Sequence, residues 1–429
     1  MLTGSEDGTI IHSKYVNSTS GHAICCPVEV GIHACRAPVR AMSLIPECPG
    51  GGLDLGGHPD SYILLTAGAK NILMAWRVSW IKLSMTAAGR DTEANNRYEI
   101  RSSLISTRRL GRKGHHSPWN KGCSSGFFSF DSEQRLMAVK GFIPMDDGSK
   151  FAARPCSMAL TASSNGTLML LALVDFDLQK EGSAHWQKLA ALHFHICPVL
   201  SVDSTSVALD AFNLESKIIA CSGATDGTIA LWDVTELQKT RAMVYDSSAE
   251  NFNTTKLKPI FIQRWSHRFG VNKVSLARAP GHTPGRFFIA SGGDDQALRV
   301  TLMSIRLPTE ETGLRSDDIF VSEPTSPLST IQTVVLDFAH SSAIRGLWFD
   351  GRVIVTTACD QRLRIWGVQA DENSTEGDVD GPRFGVIPLA GTLVDCPEPE
   401  SLDVCNLPGP GDGLCISVSG RGVQMFNFE

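Results

Sequence analysis

Ile219-Ala-Cys-Ser-Gly-Ala-Thr-Asp-Gly-Thr-Ile-Ala-Leu-Trp-Asp233 reads as a strand, a tight turn and a second strand that closes on Trp-Asp. Related segments recur along the chain. They are Thr3-Gly-Ser-Glu-Asp-Gly-Thr-Ile-Ile11, Thr66-Ala-Gly-Ala-Lys-Asn-Ile-Leu-Met-Ala-Trp76, Thr161-Ala-Ser-Ser-Asn-Gly-Thr-Leu-Met169, Ser291-Gly-Gly-Asp-Asp-Gln-Ala-Leu-Arg-Val300 and Thr356-Thr-Ala-Cys-Asp-Gln-Arg-Leu-Arg-Ile-Trp366. A weaker copy is Ile416-Ser-Val-Ser-Gly-Arg-Gly-Val-Gln-Met-Phe426. The turn residues fall at 7, 70, 165, 226, 295, 360 and about 420, so successive turns stand 60 to 95 residues apart. A bare repeat of this strand–turn–strand kind takes about 40–45 residues. The surplus therefore lies in loops, which carry function on a rigid scaffold.

Polar residues recur with the turns. In the WD-repeat family, which these segments resemble, a turn Asp accepts hydrogen bonds from backbone amides and can reach a His at the entrance to the repeat. That His contacts a Ser or Thr on the second strand, whose partner is a Trp on the third. A buried, charge-assisted bond of this type contributes roughly 1.5–3 kcal/mol. The fullest set is His340, Thr356, Asp360 and Trp366. Another is His195 (or His193), Ser222, Asp226 and Trp232. A third is His267, Ser291 and Asp295, with Thr301 in the Trp place. Lys70 and Asn165 occupy the Asp place in the second and third repeats. These residues resemble the WD-repeat family. The resemblance implies an all-β fold, a WD-repeat β-propeller of about seven blades. It also implies that each His, Ser or Thr, and Asp braces a blade rather than forming a hydrolase triad.

Each blade of that fold has four antiparallel strands, a to d from the centre outward. In the fifth repeat they are expected at Val271–Arg278, Phe287–Ser291, Ala297–Met303 and Thr333–Phe338, with the next strand a at Ile344–Phe349. The alternation in that last strand is imperfect, as expected where both strand faces are buried. Met1 falls within strand b of the first blade and Glu429 closes strand c of the last, so each terminal blade is expected to lack one strand. On that reading residues 1–429 form a single propeller, the C-terminal part of a longer protein.

Composition narrows the function. The chain has 429 residues, a net charge of −6, 42% apolar and 20% charged residues, which suits a globular protein with an ample core. A general nucleic-acid coat would be strongly basic, so any RNA contact should be local. The N-terminus carries Glu6 and Asp7 and no apolar run, unlike a signal peptide, and no stretch reaches the length of a membrane helix. The twelve cysteines include no C-x-x-C and read as reduced thiols, which places the protein in the cytoplasm, with no membrane partner. No hydrolase, metalloprotease or nucleotide-binding motif is found, so no catalytic, metal or cofactor residues are expected.

The longest insert is different in character. From 101 to 130 it reads as a basic inserted loop with no acid, and it holds Arg101, Arg108, Arg109, Arg112, Lys113, His115, His116 and Trp119. Cations engage phosphates and an aromatic ring stacks on an unpaired base, so these residues are candidates for RNA contact. The inserts 307–330 and 369–383 read as flexible surface loops. The segment Ala220–Val234, the His115-His116-Ser-Pro-Trp119 insert and the ending Gly420–Phe426 give a closer likeness. It is similar to the C-terminal part of the WD-repeat regulators of a tRNA wobble 2′-O-methyltransferase. That resemblance implies a non-catalytic scaffold that binds and orients tRNA for methylation at position 34. The S-adenosylmethionine site would then lie on the methyltransferase partner. A general protein-interaction scaffold, indifferent to the basic loop, is the alternative.

Overall fold

A computed structural model of the chain describes residues 2–17, 23–32, 37–46, 61–82, 98–110, 134–143, 157–174, 185–192, 194–210, 215–239, 255–280, 284–305, 327–370, 384–406 and 413–428. Most of these residues are β-strand. Among them only Thr235–Lys239 is α-helical and Ala69–Asn71 makes one 3-10 turn. No helix is long and apolar enough to cross a membrane among the described residues. The architecture is that of an all-β WD-repeat propeller, and the chain divides into two compact units, Met1–Ala191 with Asn251–Thr255, and Leu192–Glu250 with Lys256–Glu429.

The first unit holds three antiparallel sheets. Sheet 1 has three strands, Leu2–Gly4, Thr9–Asn17 and Ala23–Ile32. Sheet 2 has four, Val39–Pro46, Ser61–Gly68, Ile72–Lys82 and Tyr98–Arg109. Sheet 3 is built from Leu136–Phe142, Ser157–Ser163, Leu168–Val174 and His185–Leu192, with a short fifth strand that starts at Thr255. Ile45, Leu65 and Leu73 of sheet 2 pack with Val139, Ala159, Leu171 and Trp186 of sheet 3 in one buried cluster.

The second unit holds four sheets. Sheet 4 runs Val199–Ala208, Ser216–Ala224, Ile229–Asp233 and Phe261–Gln263. Sheet 5 runs Val271–Arg278, Arg286–Gly293, Leu298–Ile305 and Leu328–Leu336. Sheet 6 runs Ile344–Phe349, Val353–Ala358, Arg362–Ala370 and Phe384–Leu393. Sheet 7 has three strands, Ser401–Asn406, Leu414–Gly420 and Gly422–Phe428. Each sheet buries a face against the next: Ile219 and Leu231 pack with Phe287 and Ile289, Phe288 with Phe349 and Phe384, and Val355 and Ile365 with Ile416 and Val418. Full burial of one such side chain contributes about 1.5–3 kcal/mol. Polar staples join neighbouring sheets as well. Asp203 accepts from the Leu276 amide at 2.7 Å, and Gln332 exchanges two hydrogen bonds with the Phe384 backbone at 2.8 and 2.9 Å.

Several expectations need correction. The basic stretch is not a loop from 101: Tyr98–Arg109 is the outer strand of sheet 2 and carries Arg101, Arg108 and Arg109. The insert 307–330 gives up its end to the strand Leu328–Leu336, because Leu328 is buried in the sheet 4–sheet 5 core. Gln369 and Ala370 end a strand rather than begin the 369–383 loop. The imperfect alternation at Ile344 also has a more specific cause than burial of both faces. The ladder slips between Ile344 and Gly346, and strand a slips at the same place in sheets 2, 3, 4 and 5, at Arg40, Met137, Leu200 and Asn272. Such a bulge inserts one unpaired residue and reverses the faces that follow.

One turn is sterically exacting. Gly227 has φ +77°, and a Cβ there would stand 2.3 Å from the His267 carbonyl oxygen and 2.8 Å from that of Phe269. The turn after Asp226 thus presses on the segment that enters strand a of sheet 5. Gly227→Ala meets both a left-handed backbone and two immovable carbonyls, so it should cost about 2 kcal/mol and lower the urea midpoint. An unchanged midpoint would show that this contact is slack.

Candidate functional site: blade braces and the rim beside them

The fullest brace is complete in sheet 6. The Thr356 hydroxyl lies 2.8 Å from His340 Nε2 and accepts from Trp366 Nε1 at 2.9 Å. His340 Nδ1 stands 3.1 Å from both carboxylate oxygens of Asp360, whose Oδ2 also accepts from the Ser341 amide at 3.0 Å. A carboxylate can only accept, so Nδ1 carries the proton, and Thr356 donates its single proton to Nε2 while accepting from the indole. That assignment needs a neutral imidazole. Burial pushes the His340 pKa below its usual value, only partly offset by the charge and hydrogen bond of Asp360.

Sheet 5 repeats the arrangement without a Trp. His267 reaches Asp295 Oδ1 at 2.8 Å and Ser291 at 2.9 Å, and Asp295 Oδ2 accepts from the Arg268 amide at 2.9 Å. Thr301, in the Trp place, pairs instead with Thr333 at 3.1 Å. Sheet 4 keeps only part of the expected set. His195 Nε2 lies 2.7 Å from Ser222, but Trp232 Nε1 and His195 Nδ1 are buried with no hydrogen-bond partner among the described residues. Asp226 accepts from the Thr228 amide instead. Burial lowers the His195 pKa to about 4, against the opposing charge of Asp226. His193 lies outside the described residues. Sheet 2 holds a bond that the sequence reading did not single out, Trp76 Nε1 to Thr66 at 3.2 Å, although both residues stood in the quoted repeat.

The basic segment fares differently. Arg112, Lys113, His115, His116 and Trp119 lie outside the described residues, and of Arg101 and Arg109 only the strand backbone is described. Arg108 is half-buried and donates to the Trp186 carbonyl, so it is tied into its own unit.

A second set of cations and rings stands exposed in the second unit, and sequence reasoning missed it. Arg264-Trp265-Ser266-His267-Arg268-Phe269 enters sheet 5; Ser266 and His267 point inward and are buried, while the other four are exposed. Trp265 is 82% and Phe269 63% exposed. Phe338, two residues before His340 as Trp265 is two before His267, is 85% exposed. Ile196, next to His195, is 94% exposed. In sheets 5 and 6 the histidine and the residue before it are buried, while the residue after it and the one two before it are exposed. This alternation of arginines and rings was visible in the sequence as R-W-x-x-R-F, but only the placement of His267 shows which side chains face solvent.

The Asp295 carboxylate ties the brace to pH. Burial alone would raise its pKa; the hydrogen bond from His267 and the Arg268 amide outweigh burial and hold it at about 2, below its ordinary 3.8. A depressed carboxylate stabilises the fold above its unfolded pKa, and the contribution is lost as pH falls through the folded value. With solvent screening this is roughly 1–2 kcal/mol. Asp295→Asn should therefore lie below wild type in urea denaturation at pH 7, and the gap should close between pH 4 and pH 2. A gap that persists unchanged at pH 2 would assign the loss to shape rather than charge.

Residues 186–233 and 330–367 match the WD domain, G-beta repeat family. The first segment contains the His195, Ser222, Asp226 and Trp232 set and the second the His340, Thr356, Asp360 and Trp366 set. Among curated proteins, the Rattus norvegicus "tRNA (34-2'-O)-methyltransferase regulator WDR6" is 23% identical over all of this chain and 34% of its own length. The Mus musculus protein of the same name is 24% identical over the same shares, and the Homo sapiens one 24% identical over 63% of this chain and 22% of its own. The chain thus spans about a third of the length of the curated relatives it matches. A humanized mutant of the Chaetomium thermophilum Polycomb Repressive Complex 2 overlaps all of this chain and 72% of its own, with a TM-score of 0.48 and 13% identity. With both matched segments lying in sheets braced by the polar sets above, the chain carries WD40 repeats.

Proposed function

We propose that this chain is a non-catalytic WD-repeat scaffold of the cytoplasm that binds tRNA. It orients the tRNA for an S-adenosylmethionine-dependent partner that 2′-O-methylates wobble position 34. The observation that carries this reading is the match of the whole chain to relatives named as regulators of that methyltransferase. We count the seven sheets as blades, each of the terminal two one strand short. In sheets 5 and 6 the buried His, Ser or Thr and Asp groups are spent on bracing and leave no exposed nucleophile–base pair among them. Positioning a substrate for a partner enzyme can itself supply several kcal/mol of barrier reduction.

The rim supports an RNA contact. Arg264 and Arg268 can neutralise phosphates, and Trp265 and Phe269 offer faces on which unpaired bases stack. Arg112, Lys113, His115, His116 and Trp119 form the second candidate set. A general protein-interaction scaffold is favoured by one observation, the exposure of Ile196 and Phe338, which suit a protein surface better than a nucleic acid.

The experiment is a tRNA-binding titration with the purified chain at several salt concentrations. The pair Arg264→Ala and Arg268→Ala should weaken binding at least about tenfold and flatten the slope of log K against log salt by about 1 to 2. Trp265→Ala should cost about 1–3 kcal/mol with little change in that slope. Affinity unaltered by all three would remove the rim from the account, leaving the Arg112 set as its own test by the same titration. Failure of the wild-type chain to bind tRNA, with a protein alone recovered from cells, would favour the protein-interaction reading.

A further inference from the structure

Three sheets of the second unit place a histidine four residues before strand a: His195, His267 and His340 precede Val199, Val271 and Ile344. In two of them the imidazole and the turn carboxylate close on each other, and the Asp295 and Asp360 side chains are only 5% and 6% exposed. Sheet 4 departs from this. Asp226 is exposed, and His195, itself 7% exposed, keeps its Nδ1 buried with no hydrogen-bond partner among the described residues. The position two residues after the histidine is Phe269 or Ser342 in the closed braces, but here it is Cys197, a free, half-buried thiol. One ligand atom each from His195, Cys197 and Asp226 all lie within 4.8 Å of one another.

We propose that His195 Nδ1, the Cys197 thiolate and the Asp226 carboxylate bind one divalent transition-metal ion of borderline softness, with Zn2+ the ion that this donor set fits best. An imidazole nitrogen, a thiolate sulfur and a carboxylate oxygen together disfavour Mg2+ and Ca2+, which take oxygen ligands. Around a tetrahedral Zn2+ with bonds of about 2.0–2.3 Å, ligand atoms stand about 3.5 Å apart, so the three groups must draw in by roughly 1 Å. Rotamer changes of two side chains suffice: Asp226 sits at an exposed turn and Cys197 on the segment entering strand a. Ser222, on Nε2, fixes the imidazole so that Nδ1 is the ligating atom, the usual role of a group behind a metal-bound histidine. The fourth position is left for water. The ion would join turn to entering segment in sheet 4, as the direct His–Asp hydrogen bond does in sheets 5 and 6.

The test uses the whole chain, purified under reducing conditions, titrated with Zn2+ and separately with Co2+. Wild type should retain about one Zn2+ per chain after dialysis, melt at a higher temperature with Zn2+ than with chelator, and show a thiolate-to-cobalt charge-transfer band. Cys197→Ser and Asp226→Asn should each weaken Zn2+ binding at least about tenfold, and Cys197→Ser should abolish the band. The exposed Cys359→Ser is the control for other thiols and should change neither. X-ray absorption at the zinc edge of the wild type, which needs no variant to fold, should find one sulfur among nitrogen and oxygen ligands. Absence of stoichiometric Zn2+, an all-sulfur shell, or unchanged affinity in Cys197→Ser or Asp226→Asn would each overturn the proposal and leave an ordinary brace with an open carboxylate.

Discussion

A single hydroxyl organises sheet 6. Thr356 Oγ1 has one proton and two lone pairs, and it spends the proton on His340 and a lone pair on Trp366, at 2.8 and 2.9 Å. Through His340 the same chain of bonds reaches Asp360, which in turn holds the Ser341 amide. Two strands, the turn between them and the segment entering the sheet are thereby fixed to one another by side chains, in addition to the ladder. All of the inner members are buried, so loss of any one would strand polar groups away from water, where each costs about 1–3 kcal/mol. That constraint is why polar residues recur so regularly in a chain whose sheets are otherwise packed through apolar faces.

The sequence made this skeleton legible because both the turn spacing and the polar pairs are local. His340, Thr356, Asp360 and Trp366 lie within 27 residues, and strand a of sheet 5 falls at Val271–Arg278 as its pattern requires. Where a residue's geometry depends on a rotamer, legibility fails. Ser222 lacks the γ-methyl that stiffens χ1 in Thr356, and its hydroxyl serves His195 while Trp232 Nε1 finds no partner among the described residues. The outer strand Tyr98–Arg109 was hidden for another reason. Its ladder slips at Ile105, which is buried while Leu104 is exposed, so no clean period of two survives in a segment dominated by charge.

The rim illustrates a limit of a different kind. The spacing of Arg264 and Trp265 to Arg268 and Phe269 does not say which side chains face solvent, and their exposure follows from His267 being drawn inward by Asp295 and Ser291. A tertiary contact, not a propensity, decides which side chains of this hexapeptide are offered to a partner. Gly227 underlies the same segment, since its missing side chain leaves room for the His267 and Phe269 carbonyls. Bracing and presentation are therefore coupled: the groups that stabilise a blade also aim its neighbours at solvent.

The slip at the start of strand a extends this logic. The residue skipped by the ladder is Arg40 in sheet 2, Met137 in sheet 3, Leu200 in sheet 4, Asn272 in sheet 5 and Arg345 in sheet 6. They are a cation, a thioether, a hydrocarbon, an amide and a second cation, although they hold one equivalent place in five copies of a single unit. The ladder does not pair that place, so its character is set by local contacts: Asn272 is buried, donates to Asp294 and the Ile344 carbonyl, and accepts from Arg345, the equivalent residue of sheet 6. Each copy therefore fills an equivalent place by different contacts, and a repeated frame presents a non-repeating face at the start of strand a.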